Sequence, residues 1–213
     1  MSTYYQGRSG PETMSRRYAL FRRTVISIFQ ALFGLEIRGE KNVPRRGPLI
    51  VAANHSQYLD PVMACMAVPR RMQWMAKKQL FAPPFDRLFR FIGSFPVDRE
   101  GGGRSGIKAA LAYLKEGWTL GIFPEGTHKD DGSERAAKSG AIVLSTRGRA
   151  PILPVFVGKI PGPLARLRGE RLILVVGEPI APDEALRGGA AYREAADEVL
   201  KTIYALPAET RPS

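Results

Sequence analysis

The chain has 213 residues, 44% of them hydrophobic, and 32 Lys and Arg against 20 Asp and Glu give it a net charge of +12. That length suits one domain with a core of its own, and the single cysteine, Cys65, excludes an internal disulfide and suits a reducing compartment. So basic a surface attracts anions, whether nucleic acid, anionic lipid headgroups or acidic carrier proteins, without choosing among them.

Residues 1–13 read as a loose polar tail with no signal-peptide pattern. From Ser15 to Phe33 the apolar residues Tyr18, Phe21, Val25, Ile28, Phe29 and Leu32 recur at helical intervals, with Arg16, Arg23, Ser27 and Gln30 opposite. Such a helix either packs on a core or lies in a membrane interface, with Phe in the acyl layer and Arg16, Arg17, Arg22 and Arg23 at the headgroups. Residues 1–49 carry nine Lys/Arg against three Asp/Glu, half of the net excess, and the helical pattern by itself favours neither use. The uncharged run Thr24–Leu35 has twelve residues, whereas a spanning helix needs about 20. The expectation is attachment to the cytoplasmic face of the cell membrane without crossing it, residues 1–34 forming the tail and interface helix and residues 35–213 an α/β domain.

Beyond residue 35 strands and helices alternate. "PLIVAAN" (48–54), "QWMAK" (73–77), "GSFPV" (93–97), "TLGIFP" (119–124), "PILPVFVG" (151–158) and "RLILVVGEP" (171–179) are mostly apolar throughout and bounded by Gly or Pro, which predicts buried strands. "DPVMACMAV" (60–68), "FDRLFRFI" (85–92), "SGIKAALAYLKEG" (105–117) and "AAKSGAIVLSTRG" (136–148) read as helices, and a last helix covers about 183–205. Apolar strands separated by helices predict an α/β fold, a mostly parallel central sheet flanked by helices. The two prolines of "PILPVFVG" place that strand's start or an edge there.

In such a sheet ligands gather at the carboxyl ends of the strands. His55 falls just after "PLIVAAN", and Asp60 opens the helix that follows. If the histidine sits in the turn, Asp60 can fold back to fix its tautomer and stabilise an imidazolium, which makes a general base. The same residues also read as a turn histidine beside a helix-capping aspartate, and spacing alone does not choose. After "GSFPV", the run "DREGGGRSG" holds Gly101, Gly103 and Gly106 at G-x-G-x-x-G spacing, but Asp98, Arg99 and Glu100 separate them from the strand, which argues against a dinucleotide fingerprint. Arg99 at the strand end suits bidentate capture of a phosphate. In "TLGIFPEGTHKDDGS" a strand enters a Pro-Glu-Gly-Thr turn, where Glu125 would accept a hydroxyl hydrogen bond or orient Arg99. No Cys/His grouping suggests a metal and no serine elbow suggests an acyl-enzyme, so neither a metal nor a cofactor is expected.

Four blocks, "NHSQYLD", "GSFPVDR", "FPEGT" and "PILPV", resemble in order and spacing those of the PlsC-like glycerolipid acyltransferases, the 1-acylglycerol-3-phosphate acyltransferases in particular, over residues 35–180 or so. The resemblance implies a catalytic His55 with Asp60, substrate contacts at Gly93, Arg99, Glu125, Gly126, Thr127 and His128, and phosphate-holding Lys77 and Lys138. It implies an acyl-CoA or acyl carrier protein donor and lysophosphatidic acid as acceptor, at an anionic membrane surface. Two positions depart from the family: His128 stands where arginine is usual, removing a fixed charge, and Gln79 where glutamate is common. His128 keeps another lysolipid acceptor open. A different class of function, a non-catalytic basic protein binding anionic membrane or nucleic acid, fits the charge, but the aromatics cluster in apolar runs instead of interleaving with Lys and Arg, and no nucleic-acid partner is expected.

Overall fold

The computed structural model of the chain describes residues 14–77, 81–84, 86–97, 104–126 and 137–209. In order the elements are α1 (Arg16–Phe33), β1 (Glu36–Arg38), a 3-10 turn at Glu40–Asn42, β2 (Leu49–Ala53), α2 (Asp60–Ala67), β3 (Met72–Lys77), α3 (Asp86–Phe91), β4 (Ser94–Val97), α4 (Arg104–Lys115), β5 (Thr119–Ile122), α5 (Gly140–Gly148), β6 (Ile152–Val157), α6 (Pro163–Leu167), β7 (Ile173–Val176) and α7 (Gly189–Glu209). The strands form one sheet ordered β1-β7-β6-β2-β5-β3-β4. Every pairing is parallel except β6 with β7. The α/β architecture expected from the alternation is the one observed.

β2 lies near the middle, and all five of its residues are buried. Alternate side chains serve opposite layers, as the pleat requires. Leu49, Val51 and Ala53 join the core under α1 and α2, while Ile50 and Ala52 join the core under α4, α5 and α7. Leu49, Ile50 and Val51 each contribute about 1.5–3 kcal/mol by leaving water, and the two alanines less, so a polar residue anywhere in β2 would be costly on either face. That leaves the strand's carboxyl end, where the two layers part, as the place for polar chemistry.

Local departures from the sequence reading have local causes. β1 has three residues and no periodicity to betray it; it is recruited by pairing with β7. The last helix starts at Gly189 instead of near 183, because Gly188 has a φ of +88°, which no α-helix accepts. β6 is not an edge strand. Its Pro154 is opposite Ala52 of β2 in the parallel register, and its ring nitrogen falls between the β7 ladder at Val155–Val157 and an isolated bridge at Ile152–Ile180. A missing N–H is tolerated in that gap.

α1 packs on the protein. Tyr18 is 2% exposed, and Val25, Ile26, Phe29 and Phe33 press on the core of that layer. Ile28 and Leu32, expected with them, face outward together with Leu20. Arg22 is not at the outer surface either: it donates to the carbonyls of Cys65 (3.2 Å) and Met66 (2.6 Å) and pairs with Glu40 (2.9 Å). α2 has no basic residue in its own last turn; the guanidinium supplies the cation that its carbonyl end favours.

Candidate active site

Asp60 is the first residue of α2 and is fully buried. Its Oδ2 accepts the backbone N–H groups of Ser56 (2.5 Å) and Gln57 (2.7 Å) and meets His55 Nδ1 at 3.0 Å. One oxygen ties down the turn before α2 and meets the imidazole, whereas the helix-capping use does not hold, because the N-cap of α2 is Leu59 and no side chain caps it. A carboxylate oxygen holding two N–H groups can only accept from the ring, so Nδ1 carries the proton and Nε2 is the basic nitrogen. The His55 side chain is 17% exposed, enough to meet a substrate without being bathed in water.

Neighbouring strands build the rest at the same sheet edge. β6 is locked to the turn by Asn54, whose side chain accepts from Val157 N at 2.7 Å and donates to its carbonyl at 2.9 Å. Gln57 reaches onward, donating to the Gly158 carbonyl and accepting from Ile160 N, both at 3.2 Å. β5 leads into Phe123, which stacks on the His55 ring with centroids 4.1 Å apart and planes 17° from parallel, and on Trp74 at 5.0 Å and 22°. Gly121 makes that stack possible. It is opposite Trp74 in the β3–β5 register, and a Cβ there would lie 2.5 Å from the indole.

Glu125 follows in the same turn. Its Oε1 accepts the His55 backbone N–H at 3.3 Å and the Tyr204 hydroxyl at 2.8 Å. Gly126 has a φ of +80°, and the Lys138 side chain lies against the space a Cβ would fill. Lys138 is held by its N–H to the Pro124 carbonyl at 2.7 Å. The structure thus brings together His55, Asp60, Glu125, Gly126 and Lys138, with Lys77 ending β3 at the same edge. It does not bring Gly93, which precedes β4 at the opposite end of that strand. With a φ of +93°, Gly93 lets the chain pass so near β3 that a Cβ would meet the Met72 carbonyl oxygen. Arg99, Thr127 and His128 lie outside the described residues.

Beside the ring stack a narrow groove, open to solvent, runs between α1 and α2. Phe21, Val25, Pro61, Val62, Cys65 and Trp74 are among its walls. Burial pushes the Cys65 thiol above its ordinary range, against the hydrogen bond from the Trp74 ring N–H. Trp74 belongs to both groove and stack, so an apolar chain lying in the groove would end near His55.

Comparisons with known proteins come to the same place. The acyltransferase family profile matches residues 34–158. The chain is 33% identical over 150 residues to the 1-acyl-sn-glycerol-3-phosphate acyltransferase of Bacillus subtilis, covering 69% of this chain and 74% of that one. It is 35% identical over 142 residues to the Streptococcus pneumoniae enzyme of the same name, 62% of this chain but 49% of that one, so it spans only about half of that relative. The crystal structure of the 1-acyl-sn-glycerophosphate (LPA) acyltransferase PlsC from Thermotoga maritima has the same fold, with a TM-score of 0.64 at 21% identity over 94% of this chain and 86% of that one. These matches bear out the resemblance carried by the four blocks, and the chain belongs to the acyltransferase family of enzymes.

Proposed function

We propose that the protein transfers a fatty acyl group from a thioester donor, acyl-CoA or acyl carrier protein, to the free hydroxyl of 1-acylglycerol-3-phosphate, giving phosphatidic acid for phospholipid biosynthesis. The observation that carries this reading is the 3.0 Å contact between His55 Nδ1 and Asp60 Oδ2, which leaves Nε2 as a base at the sheet edge. Nε2 takes the hydroxyl proton while the alcohol oxygen attacks the thioester carbonyl. The C–S bond then breaks, and the departing thiolate recovers the proton from the imidazolium that Asp60 has stabilised. Glu125 holds the acceptor near His55, and Lys77, Arg99 and Lys138 supply positive charge to its phosphate. The groove under α1 receives an acyl chain.

The acceptor is a lipid that stays in the bilayer, since each methylene drawn out costs about 0.8 kcal/mol. No helix among the described residues is long and apolar enough to cross a membrane. The exposed stripe of Leu20, Ile28 and Leu32 on α1, with the exposed Arg16, Arg17 and Arg23, supports attachment at the cytoplasmic face. A second reading, transfer to another lysolipid, rests on His128 in place of the usual arginine. Both are tested by following thiol release and acylated product with acyl-CoA and acyl carrier protein donors against a panel of lysolipids. Phosphatidic acid as the main product supports the first reading; faster use of an acceptor with a different headgroup selects the second; no release from either donor with any acceptor refutes both.

A further inference from the structure

Helix α7 lies beyond the residues matched by the family profile, 34–158, and carries none of the four blocks. It nevertheless reaches the site. Its inner face is anchored by Ala196, Val199, Leu200, Ile203 and Leu206, all buried, with Ile203 fully so. Asp197 and Tyr204 are seven residues apart, two turns of helix and therefore on one side of it. Asp197 Oδ1 accepts the Ala137 N–H at 3.3 Å, next to Lys138, and the Tyr204 hydroxyl donates to Glu125 Oε1 at 2.8 Å. Its ring rests edge-on against Phe156, centroids 6.3 Å apart.

Beside Phe156 the tyrosine remains 43% exposed. Its hydroxyl is aimed at the carboxylate oxygen that also accepts the His55 N–H. A glutamate has three rotatable bonds, and a charge-assisted hydrogen bond from a rigid helix removes most of their freedom before substrate arrives. We propose that Tyr204 is a positioning residue that holds Glu125 ready for the acceptor, and that α7 is thereby part of the acceptor site. The proposal rests on the reading that Glu125 binds the acceptor.

The test is a double-mutant cycle on the full-length protein with Tyr204→Phe, Glu125→Ala and the pair, measuring kcat and both KM values with acyl-CoA and lysophosphatidic acid. Tyr204→Phe should raise the acceptor KM about three- to tenfold, as expected for one lost hydrogen bond, with donor KM and kcat within about twofold and melting temperature unchanged. On acceptor kcat/KM the substitution should add little once Glu125 is alanine. Additive losses, or a uniform fall in kcat with a lower melting temperature, would overturn the proposal by showing that Tyr204 acts elsewhere or only supports the fold. A normal acceptor KM in Tyr204→Phe beside an impaired Glu125→Ala overturns it and leaves the Glu125 reading standing. If Glu125→Ala binds acceptor normally, that reading falls and the proposal with it.

Discussion

Replacing Asp60 with asparagine exchanges one oxygen for an amino group in a fully buried site. The amide oxygen can still accept the Ser56 and Gln57 N–H groups that Oδ2 now holds. The turn should therefore survive, at a cost of about 1 kcal/mol, or a fall of about 2–4 °C in melting temperature for a chain of this size. What disappears is the negative charge facing the imidazolium. With Nδ1 and Oδ2 3.0 Å apart, the charge centres are separated by about 4 Å, an attraction of about 4 kcal/mol at an effective dielectric near 20. Partial exposure of His55 reduces this to about 2–4 kcal/mol, which corresponds to a loss of about 30- to 1,000-fold in kcat. If the amide instead turns its NH₂ toward Nδ1, the ring proton is forced onto Nε2 and the loss becomes larger. Thiol release from acyl-CoA, read with a chromogenic disulfide, gives kcat and both KM values, and circular dichroism checks the fold. A folded Asp60→Asn protein retaining more than a third of wild-type kcat would refute the orienting role and the base assignment that depends on it.

His55→Ala should lose about 10²–10⁴-fold in kcat while keeping its melting temperature, since the side chain is partly exposed; near-normal turnover would reject it as the base. Val62→Phe should narrow the groove beside Trp74, lowering kcat/KM for long-chain donors or acceptors several-fold more than for short-chain ones; equal losses would place the chain elsewhere. Because burial raises the Cys65 thiol, maleimide labelling of the native protein at pH 7 should be at least about tenfold slower than in denaturant, and native labelling as fast as in denaturant would show that the thiol is neither buried nor raised. Changing Leu20, Ile28 and Leu32 together to serine should reduce co-sedimentation with anionic vesicles while preserving activity on a short-chain soluble acceptor. Undiminished sedimentation would move the attachment surface to another part of the protein.

Removing residues 1–34 would disturb more than an attachment surface, because of where α1 sits. Its inner residues Tyr18, Val25 and Phe29 cover a core that deletion would uncover, and Arg22 would leave the carbonyl end of α2 uncapped. The sequence makes the helix legible, since apolar positions recur every three or four residues, but not which stripe faces inward. Val25 and Ile28 are 300° apart on the helical wheel, near enough to read as one face, yet only Val25 packs on the core. That outcome depends on α2, whose own placement depends on the sheet. The same reasoning explains β1 and Pro154: a three-residue strand and a proline in an inner strand are determined by their neighbours' ladders.

Within the site, what could be read in advance was what is close in sequence. His55 and Asp60 are five residues apart, and once Asp60 begins a helix its carboxylate has few places to go except back over the turn. Glu125 is legible because it falls in the turn after a strand, separated from the end of β5 by two residues, and Gly126 because the "FPEGT" block resembles the family's. The supporting residues were hidden by distance along the chain. Gly121 looks like an ordinary strand glycine until β3 is paired with β5, which sets it opposite Trp74 and makes its missing side chain a condition for the His55–Phe123–Trp74 stack. Tyr204 lies 79 residues from Glu125 and reads as one more apolar position on the last helix. Its hydroxyl gains meaning only because α7 crosses the sheet to bring it back to the carboxyl end of β5. The contact between His55 and Asp60 is thus local in sequence, whereas the residues packed around it depend on which strands and helices the fold makes neighbours.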